Sequence, residues 1–305
     1  MAGDDGKITL DGKVAVVTGS GRGLGQAYAE ALAAAGAAVI VNDIDADVAG
    51  ATVERIRSAG GQAASVVVPV GPTAAADELV AKAVEEFGRL DIMVTNAGVL
   101  RDKTLKNMSD EDFDLVVETH LRGTFTCGRA AAAQFREQGG GGRLILVGSP
   151  AGQRGNFGQT NYSAVKAGIV AISWVWAMEL ARDEITVNAL VPVAMTRMVA
   201  TIPRLREVAE AAERGEPVPE DMRQGGLGMA VDVAPLVVFL ASDAAAGITG
   251  QAIGLGGDKL ALWSRPEETS TLVRSGGWDA EAIAGALGPT FDGTLHDPAK
   301  AGGTA

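Results

Sequence analysis

Short runs of valine, isoleucine and leucine alternate along the chain with alanine-rich stretches whose apolar positions recur at helical spacing. Residues 14–18, 38–42, 63–70, 91–95, 143–147, 185–191 and 251–255 read as strands. Residues 23–35, 46–59, 73–87, 109–138, 161–182 and 231–242 read as helices. Strands that are apolar along both faces and separated by helices belong to a parallel sheet covered on two sides. The pattern therefore predicts an α/β, doubly wound domain with a seven-stranded parallel sheet. It runs without a break in composition to about residue 255, which sets one domain over 1–257 and a C-terminal extension over 258–305, with a short helix at 278–287. One interruption, residues 195–227, carries a charged helix (204–214) and turns at Pro217, Pro219, Gly225 and Gly226. An insertion after the C-terminal end of a strand is placed to cover a ligand, or is a plain surface excursion. Its Met195, Met198, Met222 and Leu227 are either an apolar lining for a substrate or ordinary core.

Composition narrows the class. In 305 residues, 47% are hydrophobic, enough for a sizeable core, and the formal charge of −12 repels a phosphate backbone, so nucleic acid is not an expected partner. Cys127 is the only cysteine, which fits a reducing, cytoplasmic setting. The first 13 residues are polar and acidic, unlike a signal peptide, and no apolar run approaches the ~20 residues that span a bilayer.

Candidate chemistry begins where the first strand ends, in Thr18-Gly19-Ser20-Gly21-Arg22-Gly23-Leu24-Gly25. Glycines between a strand and a helix let backbone N–H groups and the helix N-terminus approach a pyrophosphate. The second strand runs into Asp43, whose carboxylate would accept hydrogen bonds from a free ribose 2′-hydroxyl and repel a 2′-phosphate. That favours NAD over NADP, with Arg22 as the counter-argument. Asp43 could instead cap the next helix, although Asp45 is better placed to do so. Asn96-Ala97-Gly98 closes the fourth strand with small residues that leave room for the adenosine end, and Asn96 is placed to pin neighbouring strands.

Tyr162 and Lys166 stand four apart on a helix and so share a face. An ammonium beside a phenol is expected to lower the phenol's pKa and ready it for proton transfer. Ser149 follows the fifth strand, at the sheet edge where open parallel sheets bind ligands. It is either a loop-capping serine or a hydroxyl that polarises a carbonyl.

Together these residues resemble the short-chain dehydrogenase/reductase family over roughly 10–257. The resemblance implies a doubly wound Rossmann-type domain, hydride transfer between a nicotinamide cofactor and a hydroxyl or ketone without metal, and a homodimer or homotetramer packed through the long helices. It implies Ser149, Tyr162 and Lys166 as catalytic residues, Tyr162 and Lys166 also touching the cofactor, and Pro192 and Thr196 near the nicotinamide. His120 replaces the asparagine usual in the family. It either substitutes for it in a proton relay or supports the helix. Residues 120–125 and 156–162 look like the (3R)-hydroxyacyl-CoA dehydrogenases of peroxisomal multifunctional enzymes and their bacterial relatives. That likeness implies an acyl-CoA or steroid-like substrate. A sugar or small polyol, or a non-catalytic NAD-binding role, stand as alternatives.

Overall fold

The structure is a computed structural model and describes residues 8–195, 205–214 and 216–291. Seven parallel strands form the sheet: β1 (Val14–Val17), β2 (Ala38–Asp43), β3 (Gln62–Val67), β4 (Ile92–Thr95), β5 (Gly142–Val147), β6 (Ile185–Pro192) and β9 (Ala252–Gly256). An eighth, β10 (Lys259–Trp263), pairs antiparallel with β9, giving the order β10-β9-β6-β5-β4-β1-β2-β3. This edge strand lies in the segment expected to be extension. The chain reverses through Gly257 and Asp258, where Gly257 has φ +50°, a conformation open to glycine. The described residues up to Trp263 form one compact unit, and those from Ser264 onward form another. In the second unit α11 (Ala280–Phe291) starts where Asp279 Oδ1 accepts from the Ala282 N–H at 2.7 Å, two residues later than the expected helix.

Side chains alternate across the sheet as the pleat dictates. Ala15, Val17, Val39, Val41, Ile92, Val94, Ile145 and Val147 face one layer, formed by α1 (Gly23–Ala34), α2 (Ala46–Ser58) and α10 (Ala230–Ala241). Val14, Val16, Ile40, Met93, Leu144 and Leu146 face the other, formed by α3 (Thr73–Phe87), α5 (Gly123–Gln138) and α7 (Thr160–Glu179). Cys127 sits in this second core, buried, its thiol pushed up to about 12 by burial. It is a small apolar filler rather than a reactive group.

The single helix expected over 109–138 is three pieces. Ser109 caps α4 (Asp110–Val116) in a reciprocal box with Asp112. A π-helical turn, Val117–Arg122, follows and leads into α5. The insertion begins at β7 (Ala194–Met195), which pairs with β8 (Gly228–Met229). Between them lie α8 (Arg206–Glu213) and α9 (Glu220–Gln224). Met195, Ala209, Ala212 and Val218 are buried together, with Met222 and Leu227 packed on them, so these side chains form a small core of the insertion's own. Met198 lies outside the described residues. Arg223 fastens the insertion at its far end, reaching Asp232 at 2.8 Å and Asp258 at 2.7 Å.

Candidate active site

The chain passes from β3 back across the sheet to β4, so the ends of β1 and β4 open a crevice at the topological switch point. The candidate residues lie at or after the C-terminal ends of the strands on its two sides. On the side of the glycine loop, Asn96 ties the strand ends together: Nδ2 donates to the carbonyls of Thr18 and Gly19, both at 3.0 Å. The Thr18 hydroxyl accepts from the backbone N–H groups of Asn96 and Ala97 at 2.9 and 3.0 Å. The Gly19 N–H donates to Asn42 Oδ1 at 3.3 Å, and Gly25 is backed so closely on the Gly19 carbonyl that a Cβ would lie 2.2 Å from it. At the outer side of the loop Gly23, with φ +58°, would place a Cβ in open space. The N-terminus of α1 receives no side-chain cap from Arg22 and has no acidic residue in its first turn. Leu24 packs inward on the core. A loop fixed within, open without and leading to an uncapped helix end fits a pyrophosphate.

Asp43 ends β2 and leans back over this loop, its Oδ2 accepting from the Gly21 N–H at 3.2 Å. It does not cap α2. Asp45 does, accepting from the Asp47 and Val48 N–H groups. Asp45 also holds Arg22, Nη2 to Oδ2 at 2.9 Å, so the basic side chain of the loop already has an anionic partner.

On the opposite side of the crevice stand Ser149, Tyr162, Lys166 and His120. Ser149 lies between β5 and the short helix α6 (Pro150–Arg154), where its Oγ accepts from the Ala151 N–H at 3.2 Å. It therefore is a capping serine, and its hydroxyl is also near enough to the phenol of Tyr162 to act on it. Tyr162, in the first turn of α7, is 9% exposed. Burial raises its phenol above the usual value near 10, the Ser149 hydroxyl pulls it back, and the Asp102 carboxylate adds to the rise. Lys166 is buried one turn on, its Nζ 5.6 Å from the Tyr162 ring centroid and donating to the Val147 carbonyl at 2.6 Å. Burial brings the amine down to about 7. The sequence-based expectation of a phenol lowered by its lysine neighbour is thus not met here. The ammonium is turned to Val147, and desolvation dominates both groups.

His120 is carried in by the π-turn and is 2% exposed. Its Nε2 lies 3.0 Å from Val99 N and 2.9 Å from Val99 O. Its ring meets the Tyr162 ring edge to face, centroids 5.3 Å apart. Gly98 makes the approach possible, since a Cβ there would lie 2.2 Å from His120 Cε1. Burial, then the charge of Lys166, hold the imidazole at about 3, with the bond to Val99 acting the other way. Pro192 ends β6 opposite Leu255. Thr196 lies outside the described residues.

Asn161 escaped the sequence reading because nothing in a lone Asn-Tyr pair marks it. It is fully buried; its Oδ1 accepts from the Tyr162 N–H at 2.8 Å and its Nδ2 donates to the Arg101 and Asp112 carbonyls at 3.1 and 3.2 Å. It fastens the start of α7 to the first turn of α4 and to the segment before it. Asp102 was also missed. Gln159 holds it, Nε2 to Oδ2 at 2.7 Å. Two surface hollows elsewhere, one beside Val67 and Lys82 and one beside Arg136 and Gly140, contain none of these groups. Among the described residues no cluster of His, Cys, Asp and Glu could hold a metal, and no helix is long and apolar enough to cross a membrane.

Comparison with known proteins agrees with this geometry. Residues 19–257 match the family model described as enoyl-(acyl carrier protein) reductase. The chain is 40% identical over 302 residues to hydroxyacyl-CoA dehydrogenase ChsB1 of Mycobacterium tuberculosis, covering 95% of this chain and 91% of that protein. It is 41% identical over 211 residues, 66% of this chain, to peroxisomal multifunctional enzyme type 2 of Drosophila melanogaster, but spans only 35% of that protein's length. The crystal structure of a short chain dehydrogenase from Mycobacterium avium superposes with a TM-score of 0.79 at 35% identity, over 92% of this chain and 94% of that one. The identities lie close together and single out no one relative. The chain belongs to the short-chain dehydrogenase/reductase family, oxidoreductases that act on CH–OH groups with an NAD(P)-binding Rossmann-type fold.

Proposed function

We propose that the protein is an NAD(H)-dependent dehydrogenase/reductase that interconverts a secondary hydroxyl and a ketone on a 3-hydroxyacyl-CoA or steroid-like substrate. One observation carries the chemistry: a hydroxyl, a phenol and an amine from Ser149, Tyr162 and Lys166 meet at the end of β5, across the crevice from an open glycine loop. The bound dinucleotide supplies the hydride acceptor or donor. Ser149 orients the substrate oxygen and stabilises its developing charge. Tyr162 gives the proton in reduction and takes it in oxidation. Burial keeps the Tyr162 phenol protonated, the state from which reduction starts, while oxidation gains as pH rises. Lys166 would hold the nicotinamide ribose. Pro192 and Thr196 follow β6 and would flank the nicotinamide. Gly19, Gly21, Gly23, Leu24, Gly25, Asn96, Ala97 and Gly98 would form the bed of the pyrophosphate and adenosine.

Preference for NAD is supported by Asp43 over the loop and by the engagement of Arg22 with Asp45. The substrate class is supported by relatives named as hydroxyacyl-CoA dehydrogenase and peroxisomal multifunctional enzyme. Assembly as a homodimer or homotetramer is supported by Phe125, Val175 and Met178, apolar and exposed on α5 and α7.

Purified protein with NAD(H), set against hydroxyacyl-CoAs, steroids and polyols, tests the reading through NADH absorbance. Turnover of none of them sinks it, and turnover of polyols alone sinks the substrate class. Tyr162→Phe should lower kcat by at least ~100-fold, the usual contribution of a positioned acid or base, while cofactor still binds.

A further inference from the structure

The chemistry above leaves a buried titratable group beside the site without a task, and its surroundings are specific. His120 leaves the π-turn and wedges between the loop after β4 and the ring of Tyr162. It is tied down on one side only. Nε2 lies within hydrogen-bond distance of both the N–H and the carbonyl of Val99, so it either accepts from the first or donates to the second. In either tautomer Nδ1 is buried with no partner among the described residues. An imidazolium needs acceptors at both nitrogens, and this pocket offers one. On the other side the ring stands edge-on to Tyr162, the planes 87° apart, in a contact that fixes an aromatic neighbour's tilt. Gly98, with a Cβ position 2.2 Å from Cε1, leaves the ring no slack toward the loop.

The charged and titratable groups around it agree. From α7 it faces Lys166, whose charge opposes its own protonation, and Tyr162. Glu118 and Arg122, on its own turn, point instead to the loop after β3: Arg122 Nε donates to the Gly71 carbonyl at 3.3 Å, and Glu118 pairs with Arg122 at 3.4 Å. Among the described residues no carboxylate pairs with His120.

We propose that His120 is a positioning residue of the dehydrogenase site: a neutral imidazole, fastened to the Val99 backbone, that holds the Tyr162 ring at its working angle and exchanges no proton during turnover. The proposal rests on the dehydrogenase reading. It separates two roles open to this position, supporting the site and relaying its proton, and assigns the first.

The test compares His120→Ala and His120→Gln with the wild type on its best substrate. Glutamine places a non-titrating amide near the Nε2 position, able to keep the link to Val99. Kinetics are read against pH, and NADH binding is followed by fluorescence titration. His120→Ala should lose kcat by about tenfold or more, with the NADH Kd changed by less than about threefold, because the phenol is misaimed and the cofactor bed is not. His120→Gln should recover most of that loss, with every inflection of the wild-type pH profile in place. Loss or displacement of an inflection in His120→Gln, with NADH still bound, assigns a proton-carrying role and overturns the proposal. So does a His120→Ala enzyme with wild-type kcat. A wild type that binds NADH yet turns over no alcohol or ketone overturns the dehydrogenase reading itself, and the proposal with it.

Discussion

Adding one methyl group at Gly98 tests the packing of the site more sharply than removing any candidate catalytic group. The backbone there is not in the left-handed region and the residue is exposed, so alanine meets no conformational objection of its own. The objection is the His120 ring. The new carbon would stand 2.2 Å from Cε1, 2.9 Å from Nε2 and 3.0 Å from Nδ1. Non-bonded heavy atoms rest at roughly 3.5–4.0 Å, so the overlap exceeds about 1 Å. The ring has no easy retreat, being held by Val99 through Nε2 and backed by Tyr162. Overpacking of this kind costs about 1–3 kcal/mol, which in a domain of this size lowers the melting temperature by roughly 2–10 °C. Whatever movement relieves the overlap tilts the phenol, so kcat should fall by about tenfold or more. The assay is a double-mutant cycle with His120→Ala, read by thermal melting and by kcat. Removing the imidazole should make alanine at 98 harmless, giving a coupling energy of at least about 1 kcal/mol. Additive effects, or a Gly98→Ala protein as stable and active as the wild type, would refute the packing argument.

Further outcomes follow from the geometry. Asp43→Ala removes the carboxylate over the loop and should narrow the preference for NAD over NADP by about tenfold or more, measured as the ratio of kcat/KM values. The cofactor-free protein should lose stability in acid. His120 sits at about 3 when folded against 6.5 when free, so the unfolded chain binds the extra proton and stability falls, from pH 6.5 down to 3, with a limiting slope near 1.4 kcal/mol per unit. Lys166, at about 7 against 10.5, adds a slope of the same sign between pH 7 and 10.5. Urea melts should show it, and Lys166→Met should erase it. Finally, Arg223→Gln cuts both ion pairs that tie the insertion to Asp232 and Asp258. Limited proteolysis should then cleave within 205–227 sooner than in the wild type, and unchanged cleavage would count against this anchoring role.

What the sequence made legible, and what it hid, follows from how far each signal reaches. Strands such as residues 14–17 and 144–147 announce themselves because burial on both faces demands an unbroken apolar run. The glycine loop, Asp43, Asn96, Ser149, Tyr162 and Lys166 could be picked out because each lies at a strand end or at a fixed helical spacing. The structure brings those positions to one sheet edge. The β9–β10 hairpin was within reach: Gly257-Asp258 followed by an alternating Leu260, Leu262 pattern is a turn-and-strand signal. The π-turn was not, because its residues are as compatible with an ordinary helix and only the hydrogen-bond register differs. The protonation of the site was misjudged for a related reason. Spacing places Lys166 near Tyr162, but only coordinates reveal that the amine points to Val147.

The π-helical turn at 117–122 also sets how the molecule can change over generations. An extra residue looped into a helix rotates everything downstream by about 100° relative to a plain α-helix. Deleting one residue between 117 and 122 would let the segment heal as a continuous helix, but it would swing position 120 away from Val99 and bring a different side chain up beside the phenol. A point substitution at 120 leaves the register of the helix in place, while the length of this stretch is locked to the tyrosine it serves.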